Sequence, residues 1–165
     1  MHKSEIIERE FVRLVRGIIR SEAFQQMKCY RHHLRGSVYD HSVKVAYLCY
    51  RHYKRCRMTG DLMTLLRGAL LHDYYLYDLH SERRKHRFHW FFHPRYALDN
   101  ARRDYPSLND TERDMISRHM FPLTLRPPAT KEGWLVSFYD KVAAVSDCFK
   151  IPRRQRHRMT KHKKI

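Results

Sequence analysis

The segment Leu62-Met-Thr-Leu-Leu-Arg-Gly-Ala-Leu-Leu-His72-Asp73 constrains the fold more than any other stretch of this chain. Its apolar residues (Leu62, Leu65, Leu66, Ala69, Leu70) recur at helical spacing, which predicts a helix with that stripe against a core. The stripe leads straight into an imidazole and a carboxylate. Carrying such groups into an interior is costly unless something charged neutralises them. A divalent metal would do so, because adjacent His and Asp offer one nitrogen and one oxygen donor from neighbouring backbone positions.

The rest of the chain is also helical in pattern. Ile6, Ile7, Phe11, Leu14, Val15, Ile18 and Ile19 predict a first helix of about four turns. After a turn around Arg35-Gly36-Ser37, a second helix carries His41, Val45, Leu48, Cys49 and His52 along one stripe. Asp61 is an expected N-cap for the helix that ends at His72-Asp73. Residues 74–92 lack clean periodicity and read as a long connection, within which Trp90, Phe91 and Phe92 are expected in the core rather than stacking on a base. Pro94 suits the first position of a helix starting just after His93 and stopping before Pro106. Asn109 with Glu112 has the spacing of a capping box for a helix ending near His119. A last helix from about Thr130 to Lys150 places Val136, Asp140, Ala143, Ala144 and Asp147 on one side. No strand alternation, hairpin signal or internal repeat stands out, so the expected fold class is all-α, a compact helical bundle.

With 165 residues the chain can bury a core without disulfide staples, as one domain over residues 1–149 followed by a basic tail over 150–165. Cys29, Cys49, Cys56 and Cys148 form no CxxC pair and read as reduced, mostly packed thiols. No long apolar run or signal-peptide pattern is present, and the expectation is a cytoplasmic protein without a transmembrane segment. The net charge is +17, and residues 150–165 hold eight Lys/Arg and no acid, so about half of the excess sits in the tail. Such a surface attracts anionic ligands, with nucleic acid an eligible partner through the tail.

The other candidate donors are His41, His93, His119 and Asp140. A lone histidine on an apolar face is usually packed or hydrogen-bonded, and thirteen are present. Position separates these from the others: His41 heads an apolar stripe, His93 starts a helix, His119 ends one, and Asp140 lies mid-helix on an inward face. A buried salt bridge is the ordinary alternative for Asp140. His89, four residues before His93, is the reserve ligand or supporting partner. The donors are nitrogen and oxygen without thiolate, which suits one or two divalent transition ions, with Fe, Mn or Zn all compatible.

The order His41 … His72-Asp73 … Asp140 resembles the signature of the HD-domain superfamily of metal-dependent phosphohydrolases. The contexts that carry the likeness are Tyr-Asp-His41-Ser-Val-Lys-Val-Ala, Ala-Leu-Leu-His72-Asp73 and Tyr-Asp140-Lys-Val-Ala. His93-Pro-Arg-Tyr-Ala and Ile-Ser-Arg-His119 look like the extra histidines of the dinuclear branches. The resemblance spans roughly residues 38–147 and implies an HD-type bundle. It further implies that His41, His72, Asp73 and Asp140 hold one metal, and that Asp73 bridges to a second held by His93 and His119. Some HD enzymes place a phosphate-contacting lysine shortly after the HD pair; here the chain reads Tyr74-Tyr-Leu-Tyr-Asp78-Leu-His80.

The resulting expectation is a metal-dependent phosphohydrolase acting on a nucleotide or other phosphorylated small molecule. Asp73 is central to the reaction, and metal-acidified water takes the place of a Ser or Cys nucleophile. Arg118 and Lys141, each beside a ligand, are the preferred phosphate clamps, ahead of Lys44 and Arg95. Asp78 and His80 are candidates to relay a proton to the leaving group. Two rivals remain: a basic nucleic-acid-binding helical protein with structural histidines, and an HD domain that senses a nucleotide with little turnover.

Overall fold

A computed structural model describes residues 3–31, 36–77 and 89–149 of the chain. Seven α-helices are found there: α1 (Lys3–Ile19), α2 (Glu22–Gln25), α3 (Val38–Arg55), α4 (Leu62–Leu71), α5 (His89–Asp104), α6 (Asp110–Arg118) and α7 (Lys131–Phe149). A short 3-10 turn over Gln26–Cys29 follows α2. Among the described residues there is no strand, only an isolated bridge between Arg31 and Ser37. The fold is an all-α bundle. No helix among these residues is long and apolar enough to cross a membrane. The tail from residue 150 onward, and with it the expected domain division, lies outside the described residues.

Local chemistry sets most helix starts. Ser37 caps α3 through a reciprocal box with Asp40, and Asn109 does the same for α6 with Glu112. Asp61 accepts from the amides of Met63 and Thr64 at the start of α4. The entry to α7 is tied down from α6: the buried Asp114 carboxylate accepts from the backbone amides of Ala129 and Thr130 and from the Thr130 hydroxyl. One departure from the sequence reading concerns α5, which starts at His89 rather than after His93, so that Pro94 lies inside it. A proline within a helix leaves the carbonyl four residues back, here that of Trp90, without its amide donor. That carbonyl is in the first turn, so the interruption falls at the helix start.

The centre is a ring of four helices in which α4 and α7 each pack on both α3 and α6; α5 packs on α6 outside it. Val45, Ala46, Cys49, Leu65, Leu66, Ala69, Leu70, Met115, Ile116, Val136 and Ala143 fill the interior; of the thiols expected to be packed, Cys29 and Cys56 are instead exposed, at the end of the 3-10 turn and of α3. Burying a Leu, Ile, Val or Met side chain is worth about 1.5–3 kcal/mol each. Arg67 and the buried Glu112 tie α4 to α6 through two contacts of 2.6 Å, a charge-assisted fork that satisfies the buried carboxylate. Close approach of these helices requires Gly68, where an added Cβ would lie 2.1 Å from Met115 Cε and 2.8 Å from its sulfur.

The end of α3 follows the Schellman pattern, with the Met58 amide bonded to the Tyr53 carbonyl. Arg57 occupies the left-handed position at φ 48°, which glycine would adopt without steric cost.

Two stability outcomes are expected in denaturant titration. Gly68→Ala should cost about 1–3 kcal/mol, because overpacking against Met115 outweighs the gain in helix propensity. Arg57→Gly should stabilise by about 1 kcal/mol, the relief of a left-handed non-glycine residue.

Candidate metal centre

Ends of α3, α4 and α6, with α5 and the middle of α7, bring the six sequence-selected donors together. His41 lies in the first turn of α3, His72 is the C-cap of α4 with Asp73 next, His93 is on α5, His119 is the C-cap of α6, and Asp140 is midway along α7. All are buried, none exposing more than 8 % of its surface. They form two groups in which the donor atoms lie within 4.8 Å of one another: His41, His72, Asp73 and Asp140, and Asp73, His93 and His119.

Asp73 belongs to both groups and divides its oxygens between them. Oδ2 is 3.8 Å from His41 Nε2 and 3.7 Å from His72 Nε2. Oδ1 is 3.1 Å from His93 Nε2 and 3.4 Å from His119 Nε2. Asp140 Oδ1 completes the first group, 3.1 Å from His41 Nε2 and 3.8 Å from His72 Nε2.

The donors fit a cation. With metal–ligand bonds of about 2.0–2.2 Å, neighbouring ligand atoms should stand roughly 3–3.6 Å apart, close to the separations found. His72 Nδ1 donates to the Ala69 carbonyl and His119 Nδ1 to the Ile116 carbonyl, both at 2.8 Å. Each bond turns an Nε2 lone pair inward and fixes the tautomer a metal needs. The fully buried His72 Nε2 then has no hydrogen-bond partner of its own, a costly arrangement that a metal would satisfy. His93 Nε2 and His119 Nε2 face each other at 2.8 Å, so two ring nitrogens converge on the carboxylate they share.

Electrostatics separate the two groups. Burial pushes His119 down to about 4, which leaves it neutral and ready to donate its lone pair. At His72 burial acts in the same direction, yet the Asp73 and Asp140 carboxylates outweigh it and raise its pKa. For Asp140 burial favours the acid, but the hydrogen bond from His41 and the nearby His72 ring hold it well below the usual carboxylate range. Asp140 is thus in a setting suited to the ionised, metal-binding form.

The expected phosphate clamps are placed differently from the ligands. Arg118 Nε sits 3.3 Å from Asp114 Oδ1, and its guanidinium donates to the Pro127 carbonyl; it braces the loop into α7. Lys141 Nζ is 3.8 Å from Asp140 Oδ2, at the edge of the centre, and donates to the His119 and Ser137 carbonyls and to Ser137 Oγ. Burial lowers its pKa. Lys44 pairs with Asp147 across α3 and α7, and Arg95 is exposed. Asp78, His80 and the His89 side chain lie outside the described residues.

Sequence reasoning missed Ser137 and the tyrosines beside His93. Ser137 donates to the His119 carbonyl at 2.7 Å; its place three residues before Asp140 was the available signal. The Tyr75 ring is 5.8 Å from that of His93, Tyr77 packs on Tyr75, and Tyr96 on Tyr77. The core reading of Phe91 and Phe92 is overturned, for they are 54 % and 51 % exposed. α5 buries its His93 and Ala97 face and turns these two outward.

Because Asp73 is shared, Asp73→Ala should abolish tight metal binding at both groups, whereas His93→Ala should lower metal content while His41, His72, Asp73 and Asp140 still retain an ion. Elemental analysis of the purified proteins checks this. Metal must also compete with the proton for His72 Nε2, whose pKa is raised. Affinity measured by titration should therefore fall as pH drops, starting above the ordinary imidazole range, with His119 contributing no such loss until about pH 4.

Compared with family models, with curated proteins and with solved structures, the chain matches none. What it has is a buried His/Asp cluster, in an all-α bundle, that could hold divalent metal.

Proposed function

We propose that this chain is an HD-type metal-dependent phosphohydrolase that cleaves a phosphate ester, of a nucleotide or a similarly phosphorylated small molecule. The observation that carries the reading is the division of the Asp73 oxygens between His41/His72 on one side and His93/His119 on the other. The same donors stand in the HD order along the chain.

In this reading His41, His72, Asp73 and Asp140 hold one divalent ion, and Asp73, His93 and His119 hold a second. Bound there, such ions supply hydroxide near neutral pH and neutralise phosphate charge as the P–O bond breaks. The chain does the orienting. The Ala69 and Ile116 carbonyls fix two imidazoles, and burial keeps bulk water from competing for the donors. Lys141 adds positive charge at the edge while holding the end of α6. Arg118 acts through Asp114 and Pro127 rather than as a clamp. Proton transfer to the leaving group is assigned to Asp78 or His80. The exposed Phe91, Phe92 and Tyr96 offer aromatic surface for a base.

The test is hydrolysis of bis(p-nitrophenyl) phosphate and p-nitrophenyl phosphate, with a nucleotide panel alongside. Activity should vanish with chelator, return with Mn, Fe or Zn, and fall by about two orders of magnitude or more in His72→Ala and Asp140→Ala. A metal-loaded protein that binds a nucleotide tightly yet turns over none of these substrates would point instead to sensing and defeat the enzymatic reading.

A further inference from the structure

A second feature, unrelated to the metal centre, lies where α3 ends. A surface cleft of about 1000 Å³ opens there, and none of the six donors lines it. Its rim carries Arg51, Lys54, Arg55 and Arg57, and no acidic residue among the described residues lines it. Lys54 is paired with Glu10 at 3.0 Å. Among the described residues Arg51, Arg55 and Arg57 have no carboxylate partner, unlike the arginines at 67, 103, 113 and 118. Three unneutralised guanidiniums within seven residues repel one another, and only part of that is relieved by the helix C-terminus.

Two further observations indicate that the arrangement is aimed at a ligand. Arg57 sits at the left-handed position (φ 48°), where glycine would close the helix without a steric penalty. The chain therefore carries a guanidinium at a backbone site that favours no side chain, and Arg57 lines the cleft. The lining also includes two rings, His52 of α3 and Tyr139 of α7: Tyr139 shares a 3.0 Å bond with His52 Nδ1, and their rings meet edge to face at 5.7 Å.

We propose that this cleft binds single-stranded nucleic acid through its phosphate backbone, independently of the metal centre and of the basic tail. Guanidiniums are suited to bidentate phosphate contact. Arg51 and Arg55 are one helical turn apart, so they face the same side and can meet phosphates of one strand. The volume exceeds what a lone phosphate fills, and a concave cleft receives a single strand more readily than a convex duplex. His52 and Tyr139 give the wall a ring surface of the kind on which bases stack.

The test is fluorescence anisotropy of the full chain with labelled single-stranded RNA and DNA of equal length, over a salt series and in chelator. Parent protein should bind both, with affinity falling steeply as salt rises. Arg51→Gln/Arg55→Gln/Arg57→Gln should lose about tenfold in affinity at physiological salt and lower the log–log salt slope by about two, the release expected for three single-strand phosphate contacts. Arg31→Gln/Arg102→Gln/Arg126→Gln removes the same charge elsewhere and should stay within about twofold of the parent. If the cleft triple does not fold, by circular dichroism and metal content, Arg55→Gln alone carries the test with a slope change of about 0.7. Equal losses in both triples would show bulk charge and overturn the proposal. So would an unchanged cleft variant, tighter binding of a duplex than of a single strand, or binding confined to phosphatidylserine vesicles.

Discussion

The two oxygens of Asp73 face opposite ways, and the architecture is organised around that. A carboxylate at 3 % exposure would ordinarily be a liability. Here it is surrounded by four imidazoles from α3, α5 and the ends of α4 and α6, with a second carboxylate from α7. The uneven titration of these histidines follows from the same geometry. His72 lies between two carboxylates that raise its pKa against burial, while burial, helped by its histidine neighbours, lowers that of His119. The cluster favours the ionised form of Asp140 and turns the Nε2 atoms of His72 and His119 inward, which is the condition a hard or borderline cation requires.

Holding five segments to that point needs bracing, and much of the polar chemistry near the centre provides it. Arg67 and Glu112 lock α4 to α6, the helices that end in His72 and His119. Asp114 gathers the backbone that leads into α7, and so sets the height of Asp140. Ser137 and Lys141 both donate to the carbonyl of His119, closing the buried end of α6 against the helix that carries Asp140. These contacts stabilise modestly one by one. Their joint effect is to limit how far the donors can drift apart, and metal affinity is sensitive to that distance.

The ligands were legible because buried polar groups leave a pattern: each stood at the head, the end or the inward stripe of an apolar helix. Caps were legible for a similar reason, as Ser37, Asp61 and Asn109 act within three residues of themselves. The cations were not. Arg118 and Lys141 sit next to ligands in sequence, and adjacency suggested phosphate contact. On a helix, however, neighbours point about 100° apart, and each found other acceptors: Asp114 one turn back on α6 and the Pro127 carbonyl for Arg118, the His119 carbonyl for Lys141. Phe91 and Phe92 failed in the same way. Their hydrophobicity suggested core, but α5 had already committed its inner face to His93 and Ala97. The short helix α2 was not expected because four residues carry too little periodicity to register.

The distribution of positive charge separates two kinds of surface. Around the centre, cations are spent on carboxylates and on carbonyls at helix ends: Arg67 on Glu112, Lys44 on Asp147, Lys141 on His119. Their fields are largely cancelled within a few ångströms, so they shape the site more than they advertise it. At the end of α3 the reverse holds, for Arg51, Arg55 and Arg57 lie on a cleft without an acid among the described residues. Uncancelled charge acts over a Debye length of about 8 Å at physiological salt, and so governs which molecules are drawn to the surface in the first place. A chain with +17 net charge that pairs Lys44, Arg67 and Lys141 near the metal donors and leaves three arginines at this cleft without a carboxylate partner among the described residues divides its electrostatics between holding a reaction centre together and attracting polyanions. That division requires the two surfaces to respond differently to salt, since paired, half-buried charge is screened far less than exposed charge.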